Sequence, residues 1–237
     1  MAATDATDVA VPSPSANHVR IASYNIRTGR RWRLESALRA MDLMGVGFGF
    51  LLEAKLTDGV YTRYSSDYHV TATEASSPHQ GGIALFYKDS TRWQVESIRH
   101  HGPNVISCLL VTGNRRYGVV GAYIPTADTL TLNQITRALD RFPQDCVPVI
   151  LGDLNVDFSD LQDQRAHTIA NEIVTRGFDD LLLHFRQRRR YRQRQTWFQF
   201  RQGEFVSSRC DYILCTERHH FRNTALRTPV SSTRITF

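Results

Sequence analysis

Val147-Pro148-Val149-Ile150-Leu151-Gly152-Asp153-Leu154-Asn155 is an apolar, β-branched run closed by a glycine, a carboxylate and a carboxamide. Bulky residues without charge until the end are what a strand buried on both faces requires, and Gly152 is placed to turn the backbone. Strand residues two apart face the same way, so Asp153 and Asn155 are expected to point at one ligand. An acid and an amide on a rigid edge can hold a divalent metal, orient a water or bind a phosphate oxygen. The plain alternative is a turn, because Gly, Asp and Asn are ordinary turn residues. The rest of the chain decides between them.

Upstream, 19–24 reads as a strand ended by Asn25, and 31–41 as a helix, with Trp32, Leu34, Leu38 and Met41 near helical spacing. Phe48 to Leu52 is a second buried strand, ended by Glu53. Residues 57–67 look like an irregular loop. Strands follow at 68–72, 83–87 and 93–98, and a hairpin at 105–111 and 117–123 turns across Gly113-Asn114. Helices are expected at 131–142 and 163–176, the latter ended by Gly177. Residues 195–200 and 208–214 complete the strand pattern. So many strands in succession point to sheets with antiparallel pairs rather than a purely doubly wound fold. Residues 1–18 are small and polar and are expected to be a disordered tail; 19–237 forms one domain.

The charge of +6 and pI of about 9.4 favour an acidic partner. Of 29 basic residues only Lys55 and Lys88 are lysines, and arginine suits bidentate phosphate contacts. A GC-rich genome would produce the same bias. The four cysteines lack zinc-type pairing and are read as reduced thiols. No signal pattern or membrane-length apolar run occurs, so the expected location is nuclear or cytoplasmic, with no membrane partner. The sequence does not fix the oligomeric state, and a monomer is favoured.

Polar residues thus recur at strand ends: Asn25, Glu53, Tyr123, Asp153 with Asn155, and Asp211. Phosphodiester hydrolysis needs this mixture: carboxylates to hold a metal and position a water, amide and phenol donors for the transition-state oxygens. The segments Ser23-Tyr24-Asn25-Ile26, Leu52-Glu53-Ala54-Lys55, Gly81-Gly82-Ile83-Ala84, 121–125, Gly152-Asp153-Leu154-Asn155, Tyr191 through Thr196-Trp197 and Ser208-Arg209-Cys210-Asp211-Tyr212-Ile213-Leu214 follow one known order. The chain resembles the endonuclease/exonuclease/phosphatase superfamily over most of residues 19–232. In style it is similar to the endonuclease domain of non-LTR (LINE-like) retrotransposons. The resemblance implies an α+β fold, a four-layer α/β/β/α sandwich of the DNase I-like type. It implies Mg²⁺, or Mn²⁺ in its place, and DNA as partner. Glu53 would be a metal ligand, and Asn25 would arrange metal and phosphate. Tyr123 would bond the phosphate, Asp153 would activate water, Asn155 would steady the transition state and Asp211 would orient a catalytic histidine. Thr196 and Ser208 would support the site. Within the 186–194 arginine run, Arg189, Arg190, Tyr191 and Arg192 would contact DNA; a solvated loop is the alternative.

One departure stands out. The resembled family closes with Ser-Asp-His, whose aspartate serves the metal site and whose histidine pairs with the position of Asp211. Here the matching place reads Ser231-Ser232-Thr233-Arg234-Ile235-Thr236-Phe237. The expectations are therefore a C-terminally incomplete domain with a truncated last strand, a sheet edge exposed by its loss, and an Asp211 without its partner. The expected function is Mg-dependent hydrolysis of DNA phosphodiesters, impaired by the missing pair. The alternatives are an inactive nucleic-acid-binding remnant and, against the arginine run, a small-phosphoester phosphatase.

Overall fold

The computed structural model describes residues 19–27, 31–56, 59–61, 67–77, 81–126, 128, 130–160, 162–181, 197–201, 204–217, 221, 223–227 and 232–236. One sheet contains β1 (Arg20–Asn25), β2 (Phe48–Leu52), β3 (Gly59–Tyr61), β4 (Tyr68–Ala72), β5 (Ile83–Lys88), β14 (Asn223–Arg227) and β15 (Ser232–Thr236), in the order β14-β15-β1-β2-β5-β4-β3. The second contains β6 (Trp93–His100), β7 (Val105–Thr112), β8 (Arg115–Tyr123), β9 (Cys146–Asp153), β10 (Asp179–Asp180) and β13 (Asp211–Cys215), in the order β10-β13-β9-β8-β7-β6. A separate hairpin joins β11 (Trp197–Arg201) to β12 (Glu204–Ser208).

Each large sheet has a single parallel pair among the described strands, β1 with β2 and β8 with β9. A parallel connection needs a crossover, and helices α1 (Arg31–Leu43) and α2 (Thr131–Leu139) supply them. With α3 (Gln164–Thr175) they form the outer layers. Three clusters record the layering. Phe48, Phe50, Val119, Val149, Leu151 and Ile213 fill the space between the sheets. Leu34, Leu38 and Met41 of α1 cover the outer face of the first sheet. Ile135, Ile169 and Ile173 of α2 and α3 cover the outer face of the second. The four-layer α/β/β/α sandwich is the observed fold.

Several boundaries differ from expectation. α2 stops at Leu139 rather than 142, because Phe142 precedes Pro143 and cannot remain helical; its amide bonds Leu139 O in a tighter turn instead. Asp163 lies outside α3 as its cap, its carboxylate accepting from the amides of Arg165 and Ala166. Residues 59–61, expected as loop, pair with β4. The expected loss of a terminal strand is overturned: β15 lies between β1 and β14, pairing Arg20 to Tyr24 with Thr236 to Ser232. Residues 1–18 lie outside the described residues. No described helix is long and apolar enough to cross a membrane.

Gly152 does not turn the chain. β9 runs through it to Asp153, between β8 and β13. Its role is close approach: a Cβ there would stand 1.8 Å from the Ala122 carbonyl oxygen on β8.

Candidate active site

The interior alternation of the sandwich places the site. Inward-facing residues run Tyr117, Val119 and finally Tyr123 on β8, and Val149, Leu151 and finally Asp153 on β9. On β13 the same column runs back through Cys215 and Ile213 to Asp211. Asp153 is the ladder partner of both Tyr123 and Asp211, so the three stand in one row across three strands. On the facing sheet, Asn25 ends β1 and Glu53 follows β2. Where the apolar column ends, it continues as polar residues from both sheets.

One amide joins the two sheets. Asn25 Nδ2 donates to Glu53 Oε1 at 2.9 Å and to Asp153 Oδ2 at 3.0 Å. Its own oxygen accepts from the Arg27 amide at 3.0 Å. The other oxygen of Asp153 accepts from the Asn155 amide at 3.0 Å. Lys55 lies 3.5 Å from Glu53 Oε2 and donates to the Arg27 carbonyl at 2.9 Å. Tyr123 is 5% exposed and hydrogen-bonds with Glu53 and Asn155.

Asn155 reaches this cluster differently than strand alternation implies. The strand ends at Asp153, and Asn155 adopts a left-handed backbone with φ +49°. Its Nδ2 donates to Ile124 O at 3.0 Å. Only five described non-glycine residues have positive φ, and four of them, Arg27, Glu53, Lys55 and Asn155, surround the site. Each costs on the order of 1–3 kcal/mol, and such strain persists where surrounding contacts over-determine it.

Burial pushes the Asp153 carboxyl up to about 6. The bonds from Asn25 and Asn155 and the charge of Arg27 restrain the rise, while the Glu53 charge adds to it. Burial, then the charge of Glu53, its hydrogen bond and the Asp153 charge also raise Tyr123, so its phenol stays a proton donor at neutral pH. The folded state thus holds the Asp153 proton more tightly than the unfolded chain. Its contribution to stability is fullest below pH about 4 and is lost as pH rises through about 6. In EDTA, the stability of the wild type relative to Asp153→Ala is expected to fall by on the order of 2–3 kcal/mol between pH 4 and 7. Urea unfolding across that range checks this; a difference that stays flat or rises counts against the burial of this charge.

The endonuclease/exonuclease/phosphatase family model matches residues 22–232, which span every element of this cluster. The chain belongs to the endonuclease/exonuclease/phosphatase family. The endonuclease domain of TRAS1, a telomere-specific non-LTR retrotransposon, superposes with a TM-score of 0.69 at 15% identity, covering 92% of this chain and 97% of that one. A 3′-5′ exonuclease (NExo) from Neisseria meningitidis gives 0.68 at 16% identity, covering 92% and 98%. An AP endonuclease from Archaeoglobus fulgidus gives 0.66 at 16%, covering 92% and 98%. No curated protein sequence matches.

Enzymes of the family are generally dependent on a divalent metal. Among the described residues no three His, Cys, Asp or Glu side chains cluster to hold one. The donor set nevertheless fits a hard cation, since Mg²⁺ is commonly held by one or two carboxylates with waters and substrate phosphates. Glu53, with Asp153 sharing the same amide, supplies carboxylates of that kind.

The structure therefore brings together Asn25, Glu53, Tyr123, Asp153, Asn155 and Asp211. Asp211 is 8% exposed, and the expectation that it lacks a partner is not met: a neighbour engages it. Arg189, Arg190, Tyr191, Arg192 and Thr196 lie outside the described residues, and for Ser208 only its backbone place opposite Trp197 is described. Sequence reasoning missed three supports. Lys55 was legible, being one of two lysines and two residues from Glu53. Asn104, 2% exposed, gives its carbonyl to the Tyr123 amide at 3.0 Å and its side-chain oxygen to the Gly82 amide at 3.3 Å. Arg165, on α3, holds backbone carbonyls of both loops that carry the site. Neither of the last two belongs to a motif.

Proposed function

We propose that this chain is a divalent-metal-dependent DNA phosphodiesterase, an endonuclease domain of retroelement descent, working slowly because Ser232 and Thr233 stand where the resembled family has Asp-His. The observation that carries this is the single Asn25 amide bonded to both Glu53 and Asp153, one carboxylate from each sheet, beside a protonated Tyr123.

Asp153, in its ionised form, takes the proton of the attacking water and fixes its direction. The Asn155 amide of this chain keeps the Asp153 carboxylate aimed, through the bond to Oδ1. The Tyr123 O–H donates a hydrogen bond to a phosphate oxygen and keeps its proton. Asn25 keeps Glu53 and Asp153 at a constant separation. Glu53 would hold the cation, which when bound polarises the phosphate and offsets developing negative charge. Asp211, level with Asp153 in the ladder, is proposed to support the row in which Asp153 stands. The DNA path is supported by charge: exposed Arg27 and Arg33 lie near the site, and Arg33 stacks 5.1 Å from the ring of Trp32, itself 57% exposed. Arg189, Arg190, Tyr191, Arg192, Thr196 and Ser208 are proposed to extend that path. The NExo structure with a product DNA hairpin is a case of this fold, in that protein, holding DNA.

Supercoiled plasmid is expected to be nicked in Mg²⁺ and not in EDTA. The Asp153→Ala variant should be slower by ~10²–10⁴-fold. Ser231-Ser232-Thr233 also favours a second reading, an inactive DNA-binding remnant. DNA binding without nicking at any enzyme concentration would establish that reading and overturn the first.

A further inference from the structure

Arg165 sits in the first turn of α3, behind the site, and touches none of the six residues by side chain. Its guanidinium is spent on backbone. Nη1 donates to Asn155 O at 3.0 Å. Nη2 donates to Pro125 O at 2.8 Å, Ile124 O at 3.3 Å and, more weakly, Leu154 O at 3.5 Å. Leu154 and Asn155 belong to the loop after β9, and Ile124 and Pro125 to the loop after β8. Among the described residues no carboxylate pairs with it, and its Nε is buried without a hydrogen bond. A guanidinium half-buried and unneutralised is costly, and it is compensated here only by the carbonyls it gathers.

Those carbonyls are the ones whose neighbours do the chemistry. Ile124 O follows Tyr123 directly and is also the acceptor of the Asn155 side chain. Asn155 is held at φ +49° with its amide bonded to Asp153 Oδ1, its side chain to Ile124 O and its carbonyl to Arg165. Three polar groups of one strained residue are thus tied down, each by a different partner. Freeing its carbonyl lets the peptide relax, and the amide then turns away from Asp153.

We propose that Arg165 is a positioning residue. It staples the Ile124-Pro125 loop to the Leu154-Asn155 loop, so that the Asn155 amide and side chain stay aimed at Asp153 and Tyr123. Its task is geometric, and a displacement of about 1 Å at such a site costs on the order of 10²-fold in rate. A lysine in its place reaches fewer carbonyls, because an ammonium lacks the planar fork.

The effect on turnover rests on the phosphodiesterase function proposed above, while the effect on the loops does not. In Arg165→Met, amide exchange at Asn155 and Ile124 should quicken at least tenfold more than at Leu151 and Val119, with Arg165→Lys between it and the wild type. On the nicking reaction, Arg165→Met should lower kcat by about 10²-fold with KM little changed. In an Asn155→Ala background the same change should cost less, since alanine removes the side-chain bond to Ile124 O and disfavours the left-handed backbone, leaving less of the loop geometry for Arg165 to protect. Uniform acceleration of exchange across the domain, or full multiplicative loss in the Asn155→Ala background, would overturn the proposal. If the wild type nicks nothing, the phosphodiesterase function fails alone, and unchanged exchange at Asn155 and Ile124 would then overturn the staple separately.

Discussion

Changing Ser232 to Asp and Thr233 to His in one chain is expected to raise Mg²⁺-dependent nicking by ~10²–10⁴-fold, the usual worth of a positioned acid or base. Ser232 stands in the ladder opposite Tyr24, one residue before Asn25, and Thr233 opposite Ser23. The substituted stretch is therefore already in a strand beside β1, and the new pair needs no added chain. Position 233, level with Ser23, shares the inner register of β1, so an imidazolium there would bring positive charge to the phosphate near Asp211, while a carboxylate at 232, on the opposite face of the strand end, would act through its charge. Initial rates on supercoiled plasmid, with and without EDTA, measure the gain. A variant that folds and binds DNA like the wild type, yet nicks no faster, would show that the slow step lies elsewhere in the site.

Gly152→Ala is expected to have the largest effect on stability, about 3 kcal/mol or more, enough to leave much of the chain insoluble. The added methyl would meet the Ala122 oxygen at 1.8 Å and the carbonyl carbon at 2.8 Å. Both belong to the β8 backbone, so no rotamer change relieves the contact; the β8–β9 ladder has to part. Tyr123 and Asp153 are the next pair along that ladder, so the damage falls on the site as well. Gly113→Ala is the control. Its φ is +57° but nothing lies within 4 Å of the new Cβ, so it should cost on the order of 1 kcal/mol from backbone strain alone. Urea midpoints of the soluble fractions compare the two, and equal losses would mean that the close approach at Gly152 is not what requires glycine.

The ends of the inner strands were readable from residues alone. An apolar alternation that closes on Asn25, Tyr123 or Asp153 tells both where the core stops and which way the last side chain points, because strand period and burial are local signals. The layering came from the family resemblance that the motifs carry, and not from the strand pattern, which pointed only to sheets with antiparallel pairs. What stayed hidden depends on contacts between distant backbones. Gly152 looked like a turn because a glycine needed for strand proximity and one needed for a bend are identical in sequence. Asn155 obeys no strand period because its conformation is set by bonds to Asp153, Ile124 and Arg165. Arg165 and Asn104 bind carbonyls and amides, which every residue possesses, so no side-chain pattern marks their targets. The pairing of β15 was misjudged from its missing Asp-His, although strand formation there needs only backbone partners in β1 and β14.

The bond from Asn25 to Asp153 has a consequence for how this domain can vary. Glu53 and Asn25 ride on one sheet, while Tyr123, Asp153 and Asp211 ride on the other, and no ladder hydrogen bond joins β1 or β2 to β8, β9 or β13. The distance between the two halves of the chemistry is therefore a thickness, set by how Phe50, Leu52, Val119 and Leu151 fill the gap. A methylene gained or lost in that filling would move the carboxylates apart or together without touching either. Under the proposed function, side chains with no chemistry of their own would act as the spacer of the reaction, and drift in the inner core should be limited by turnover before it is limited by folding.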